Sequence, residues 1–207
     1  MTTISTLMRE SSMSDHKSAE SASFIKQLMG GELSAADYVR YLNQMAYVYQ
    51  ALERNLPDAA ELPYAPELKR FDSIVGDLER LGVADWTQTA MLPATAAYVA
   101  RLEELGGTED VRLIAHHYTR YLGDLSGGQA IGALVRRHYG LSEDQTSFYH
   151  FAKIEAVVPF KEAYREALDN LDVTDDELLV LISEVKFAFK LNQQLFVELG
   201  DQELVAA

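Results

Sequence analysis

The 207-residue chain has no cysteine. Disulfides, thiolate metal sites and cysteine nucleophiles are therefore excluded, and the absence suits a reducing compartment. Cations are scarce as well: 18 Lys and Arg stand against 32 Asp and Glu, for a formal net charge of −14. A nucleic-acid surface needs an excess of Lys and Arg, and an anionic membrane face disfavours so acidic a chain. No apolar run approaches the ~20 residues that cross a bilayer. The opening MTTISTLMRESSMSDHK lacks the apolar core and basic leader of a secretory signal, and the closing LFVELGDQELVAA leaves no room for a tail anchor. The expectation is a cytoplasmic protein that binds neither nucleic acid nor membrane.

What is present is helical periodicity; strand-like alternation is nearly missing. Hydrophobic residues make up 48% of the chain, enough for one sizeable core. The pattern predicts a first helix over 4–29, stopped by Gly30-Gly31, and a second from the N-cap Ser34 to about Asn55, before Pro57. Its tyrosines Tyr38, Tyr41, Tyr47 and Tyr49 divide between core and polar duties. ELPYAPEL reads as a loop, followed by helices over 67–81 and 94–105, the latter ending at Gly106-Gly107. A long helix runs from near Glu109 to Gly140, and two more cover 155–170 and 174–199, the last capped by Thr174 with Glu177. With no linker or repeat, residues 1–207 read as a single all-α domain.

One segment breaks the helical rules. YLGDLSGGQAIGAL carries Gly123, Gly127, Gly128 and Gly132 inside an otherwise helical pattern. Each interior glycine costs ~1 kcal/mol relative to alanine. Such a run is tolerated where backbone must kink or approach something bulky, and equally at a helix crossing that needs small residues. Asp124 favours the first reading, because at about 100° per residue Gly127 and Gly128 flank its carboxylate.

The run HHYTRYLGDLSGGQ, from His116 to Gln129, resembles the distal-helix signature of the haem oxygenases. MRESSMSDHKSAE is similar to that family's proximal helix, in which a basic residue precedes a His by seven positions and a Glu follows it by four. FKEAYREALDNL matches the propionate-binding helix, and AFKLNQQLFVEL resembles the last core helix. The four blocks keep the family's order over nearly the whole chain. The resemblance implies haem b sandwiched between a proximal and a kinked distal helix. It also implies ring opening at a meso carbon, the α position in the family, to biliverdin, carbon monoxide and ferrous iron. Dioxygen and an electron-donating reductase are the other reactants.

The resemblance then assigns roles. His16 is the axial iron ligand, with Arg9 and Glu20 near the same helical face. Glu20 would accept from Nδ1–H, leave Nε2 for iron, and stay partly solvated so that the imidazole remains neutral. Lys161 and Arg165, at i and i+4, form the clamp for two propionates, with Tyr118 as a further contact. Asp124 orders distal waters, helped by Arg120, Tyr49 and Asn192. Gly123, Gly127 and Gly128 let the distal backbone lie close to the haem. Arg136, Arg137 and His138 make a small basic cluster, which reads equally as a docking face for a reductase or as a plain exposed face. His116, His117, His138 and His150 read as structural: the adjacent pair points about 100° apart, and no HExxH or ExxH occurs. A haem carrier would share the axial His and the clamp without needing Asp124 or the glycines. The architecturally similar thiamine-degrading hydrolases use a Cys that this chain lacks.

Overall fold

A computed structural model describes residues 2–59, 61–106 and 110–206, with the side chains of 202–206 left aside. Ten α-helices and several short 3₁₀ turns occur among the described residues, with no strand. The expected first helix is in fact three: α1 (Ile4–Ser11), α2 (Met13–Glu20) and α3 (Ser23–Gly30). Its breaks have local causes. The Ser12 hydroxyl donates to the Met8 carbonyl at 2.7 Å, and the backbone opens there to φ −102° and ψ 3°. Ala22 turns extended at φ −55° and ψ 136°. Serine competes for backbone partners in this way without disturbing apolar periodicity. Gly31 then closes α3 in the left-handed region, at φ 73°.

Helix α4 (Ala35–Asn55) begins with a reciprocal capping box between Ser34 and Asp37. It buries Tyr38, Tyr41, Leu42, Met45, Tyr49 and Leu52 along one face, at the i, i+3, i+4, i+7 spacing of a core helix. Tyr47 points outward and donates to the Thr89 carbonyl at 2.8 Å. A 3₁₀ turn over Pro66–Leu68 precedes α5 (Phe71–Arg80), and α6 (Pro93–Leu105) starts on a proline at its first position. Gly107 and Glu109, where one helix was expected to end and the next to begin, lie outside the described residues. Helix α9 (Val157–Asp169) follows expectation. α10 (Asp175–Ala206) starts at the expected Thr174–Glu177 box but extends well past 199. α10 forms the centre of the fold, packed against α1, α2, α3, α6 and α7, while α4 lies against α5 and α6.

The glycine-rich stretch is one continuous helical run with an irregular middle. α7 (Arg112–His117) passes into two segments with i→i+5 hydrogen bonding, Tyr118–Leu122 and Asp124–Gly128, and then into α8 (Gln129–Tyr139). Such widened turns recur at functional sites, because they move side chains off the regular helical register. No helix among the described residues is long and apolar enough to cross a membrane.

Candidate active site

His16 projects from α2 with its side chain 49% exposed. Its ring meets Phe189 of α10 edge-on at 5.4 Å. Glu20 Oε2 stands 3.4 Å from Nδ1 and is itself 68% exposed, so the contact is a weak, solvated one. Arg9 stands on α1, across the break at Ser12, and lines another place.

That other place is a recess of about 180 Å³ lined by Ser5, Thr6 and Arg9 of α1, Tyr118 and Leu122 of the distal run, and Arg165 of α9. Three separate elements thus bring two of the expected propionate contacts, Tyr118 and Arg165, together with Arg9. Burial raises the Tyr118 phenol above its ordinary pKa, while the Arg165 and Arg9 cations pull it back. Lys161 lies beyond the recess, its Nζ 3.3 Å from Ser126 Oγ in the second widened segment. Two guanidinium groups and a phenol around one opening make a site for carboxylates.

On the distal side four expected residues form one hydrogen-bonded chain. The Tyr49 hydroxyl donates to Asp124 Oδ2, Arg120 Nε donates to the Tyr49 oxygen at 3.2 Å, and Arg120 Nη1 donates to Asn192 Oδ1. The Arg120 guanidinium also lies 5.0 Å from the Tyr49 ring centroid and donates to Met45 Sδ at 3.5 Å. Tyr49, Arg120 and Asn192 are buried; Asp124 is half-buried, where the chain meets the outer side of the run. Loss of water raises the Asp124 carboxyl above the usual range, opposed by Arg120, the Tyr49 hydrogen bond and Arg70.

The four glycines divide into two pairs. A Cβ on Gly123 or Gly127 would meet nothing within 4 Å, so this side of the backbone is open. On Gly132 it would stand 2.9 Å from Tyr149 Cβ, and on Gly128 3.4 Å from Tyr149 Cδ1. Gly128, expected beside the haem, instead lets the distal run close onto the 3₁₀ turn Ser147–Tyr149. The small-residue crossing is present at Gly128 and Gly132, and the backbone at Gly123 and Gly127 is left open.

With this geometry established, comparison with known proteins is direct. A family model described as "Heme oxygenase" matches residues 2–198. The heme oxygenase of Porphyra purpurea is 35% identical over 200 residues, covering 93% of this chain and 85% of the relative. The solved heme oxygenase of Leptospira interrogans has a TM-score of 0.88 and 38% identity, over 96% of this chain and 100% of that one. Heme oxygenase-1 of Synechocystis, solved in complex with heme, has a TM-score of 0.90 at 31% identity, over 99% of this chain and 95% of that one. The chain belongs to the haem oxygenase family. As a haem oxygenase it is an enzyme that degrades haem.

The residues present fit a haem. The bare backbone at Gly123 and Gly127 leaves room for a flat ring, His16 stands half-exposed on another helix, and the Arg9–Tyr118–Arg165 recess offers the cations its carboxylates need. Sequence reasoning missed how far the distal chain extends. The buried Tyr98 hydroxyl lies near Asn192 and 3.4 Å from His116 Nδ1. His116 Nε2 lies 2.9 Å from Glu184, which takes a two-pronged contact from Arg101 at 2.8 and 2.7 Å. Glu184 is far in sequence from both His116 and Arg101, and no local spacing reveals those contacts; only the pair of Arg101 with the surface Glu104, 2.7 Å away at i,i+3, is local. Glu53 was also missed: it accepts from Tyr121 and from the backbone of Arg70 and Phe71.

Proposed function

We propose that this chain opens haem b at one meso carbon, the α position, giving biliverdin, carbon monoxide and ferrous iron with dioxygen and electrons from a separate reductase. Bound haem would supply both the iron that activates dioxygen and the ring that is oxidised. The observation that carries the reading is the Asp124–Tyr49–Arg120–Asn192 chain beside the open backbone of Gly123 and Gly127.

Each residue then has a task. His16 holds the iron through Nε2, with Glu20 as a solvated partner at Nδ1 that leaves the imidazole neutral. Arg9, Tyr118 and Arg165, with Lys161 nearby, hold the propionates and so set the haem's rotation in its plane. The Tyr49 hydroxyl occupies one oxygen of Asp124, and its remaining lone pairs orient water on the distal side. Buried Arg120 fixes the Tyr49 oxygen and is itself fixed by Asn192. Arg136 is tied to Thr146 Oγ1 at 3.2 Å, which leaves Arg137 and His138 as the exposed members of the basic cluster proposed for the reductase. A cytoplasmic location accords with a chain that holds no cysteine.

A haem carrier would use the same axial residue and clamp but would return the ring intact. The test is to add haem, then ascorbate in air. Ring opening predicts decay of the Soret band, a rising biliverdin absorbance and release of carbon monoxide. A haem complex that survives ascorbate and dioxygen would instead establish the carrier.

A further inference from the structure

Helix α9 carries the cations Lys161 and Arg165, yet it buries only Tyr164 and Leu168. It is tied to the rest of the molecule by directional bonds. At its C-terminal end Asp169 Oδ1 accepts from the Ser5 backbone N–H at 2.7 Å, which joins it to the start of α1. In its middle the Tyr164 hydroxyl lies 2.7 Å from His117 Nδ1, which joins it to the residue immediately before the first widened segment of the distal run. The His117 ring is buried, 4.4 Å from the Tyr121 ring, edge-on to Tyr64 at 5.3 Å and nearly parallel to the Tyr164 ring at 5.7 Å.

An apolar side chain would fill this space without the cost of burying an imidazole, so filling space does not account for a histidine here. What it adds is direction. Burial pushes its pKa down to about 3, so the ring is neutral and the bond to Tyr164 persists through the ordinary pH range. Around the helix Lys161 lies roughly 60° and Arg165 roughly 100° from Tyr164, so any turn or slide of α9 at Tyr164 carries both cations with it.

We infer that His117 and Tyr164 are positioning residues that set which meso carbon reacts, by holding α9, and with it Lys161 and Arg165, in register with the distal run. The inference rests on the haem-opening reading above. Neither residue is asked to touch haem.

The test compares Tyr164→Phe, which removes one hydroxyl, with His117→Leu and His117→Asn. The Asn amide oxygen can accept the Tyr164 hydroxyl where Nδ1 did. Two readouts are used: the proton NMR shifts of the haem methyl groups in the ferric cyanide complex, which report in-plane orientation without turnover, and the biliverdin isomers formed. Thermal midpoints confirm folding. Tyr164→Phe and His117→Leu are expected to move the methyl shifts, add a second biliverdin isomer and weaken haem binding by roughly two- to tenfold, the range of one neutral hydrogen bond. His117→Asn is expected to return the parent pattern. Parent-like methyl shifts and a single isomer in both Tyr164→Phe and His117→Leu would overturn the inference. A parent protein that binds haem but makes no biliverdin defeats the ring-opening reading, while the methyl shifts still decide whether the pair positions the haem. A parent that binds no haem defeats both.

Discussion

Single side chains do the chemical work here, and a buried neutral histidine leaves a mark on stability that can be measured. The folded pKa of His117 is lowered to about 3 from an ordinary 6.5. Between those values the unfolded chain takes up a proton that the folded chain refuses. This residue therefore makes stability fall as pH drops through that window, by up to about 1.4 kcal/mol per pH unit. Urea titrations of His117→Leu over the same window should show a shallower pH slope than the parent, and parallel slopes would contradict the assignment. At this scale much of the site was legible. His16 with Glu20, Tyr118 with Arg165, and the Asp124 group all stood in recognisable runs, and the structure brings the members of the last two sets together. His116 was read as structural, and its buried bond to Glu184, 68 positions away, agrees with that. The partner itself could not be named, because long-range polar pairing leaves no periodic trace.

Elements show where sequence rules fail and why. Apolar periodicity runs unbroken across Ser12 and Ser21, yet α1, α2 and α3 are separate, and Arg9 on α1 lines the recess with Tyr118 and Arg165. The distal run fails in a more useful way. Four glycines in a helix signal a compensation, but not on which side it lies; only the packing of Tyr149 shows that Gly132 and Gly128 face inward and Gly123 and Gly127 outward. The two classes make opposite predictions. Gly123→Ala meets no atom, and its φ of −63° is ordinary for alanine, so it should stabilise the haem-free protein by about 0.5–1 kcal/mol while impairing haem binding and turnover. Gly132→Ala pushes a methyl onto Tyr149 and should destabilise the haem-free protein by about 1–3 kcal/mol. Denaturation curves and haem titrations read both effects. A Gly123→Ala protein that is less stable and binds haem normally would remove the glycine face from the site.

Taken whole, the molecule is strongly acidic, and a few of its cations converge. Against a net charge of −14, Arg9 and Arg165 converge on one recess with Lys161 nearby, and Arg120 is buried in the distal chain. Four sequence blocks in the family's order were enough to give the helical fold and the degradation of haem, since both are carried by long stretches and not by single contacts. Helix ends and the polar route from Asp124 through His116 to Arg101 came only from the folded arrangement. The central claim is that the distal chain, beginning at Asp124, directs oxygen chemistry onto the haem ring. Its most direct test is single-turnover spectroscopy of the haem complex with hydrogen peroxide, comparing the parent with Asp124→Ala. The account predicts that Asp124→Ala binds haem with an almost unchanged axial-histidine spectrum. It should lose most oxidation of the haem ring itself and oxidise added phenols as a peroxidase does, with Asp124→Asn falling between the two. Oxidation of the haem ring by Asp124→Ala at the parent rate would contradict it.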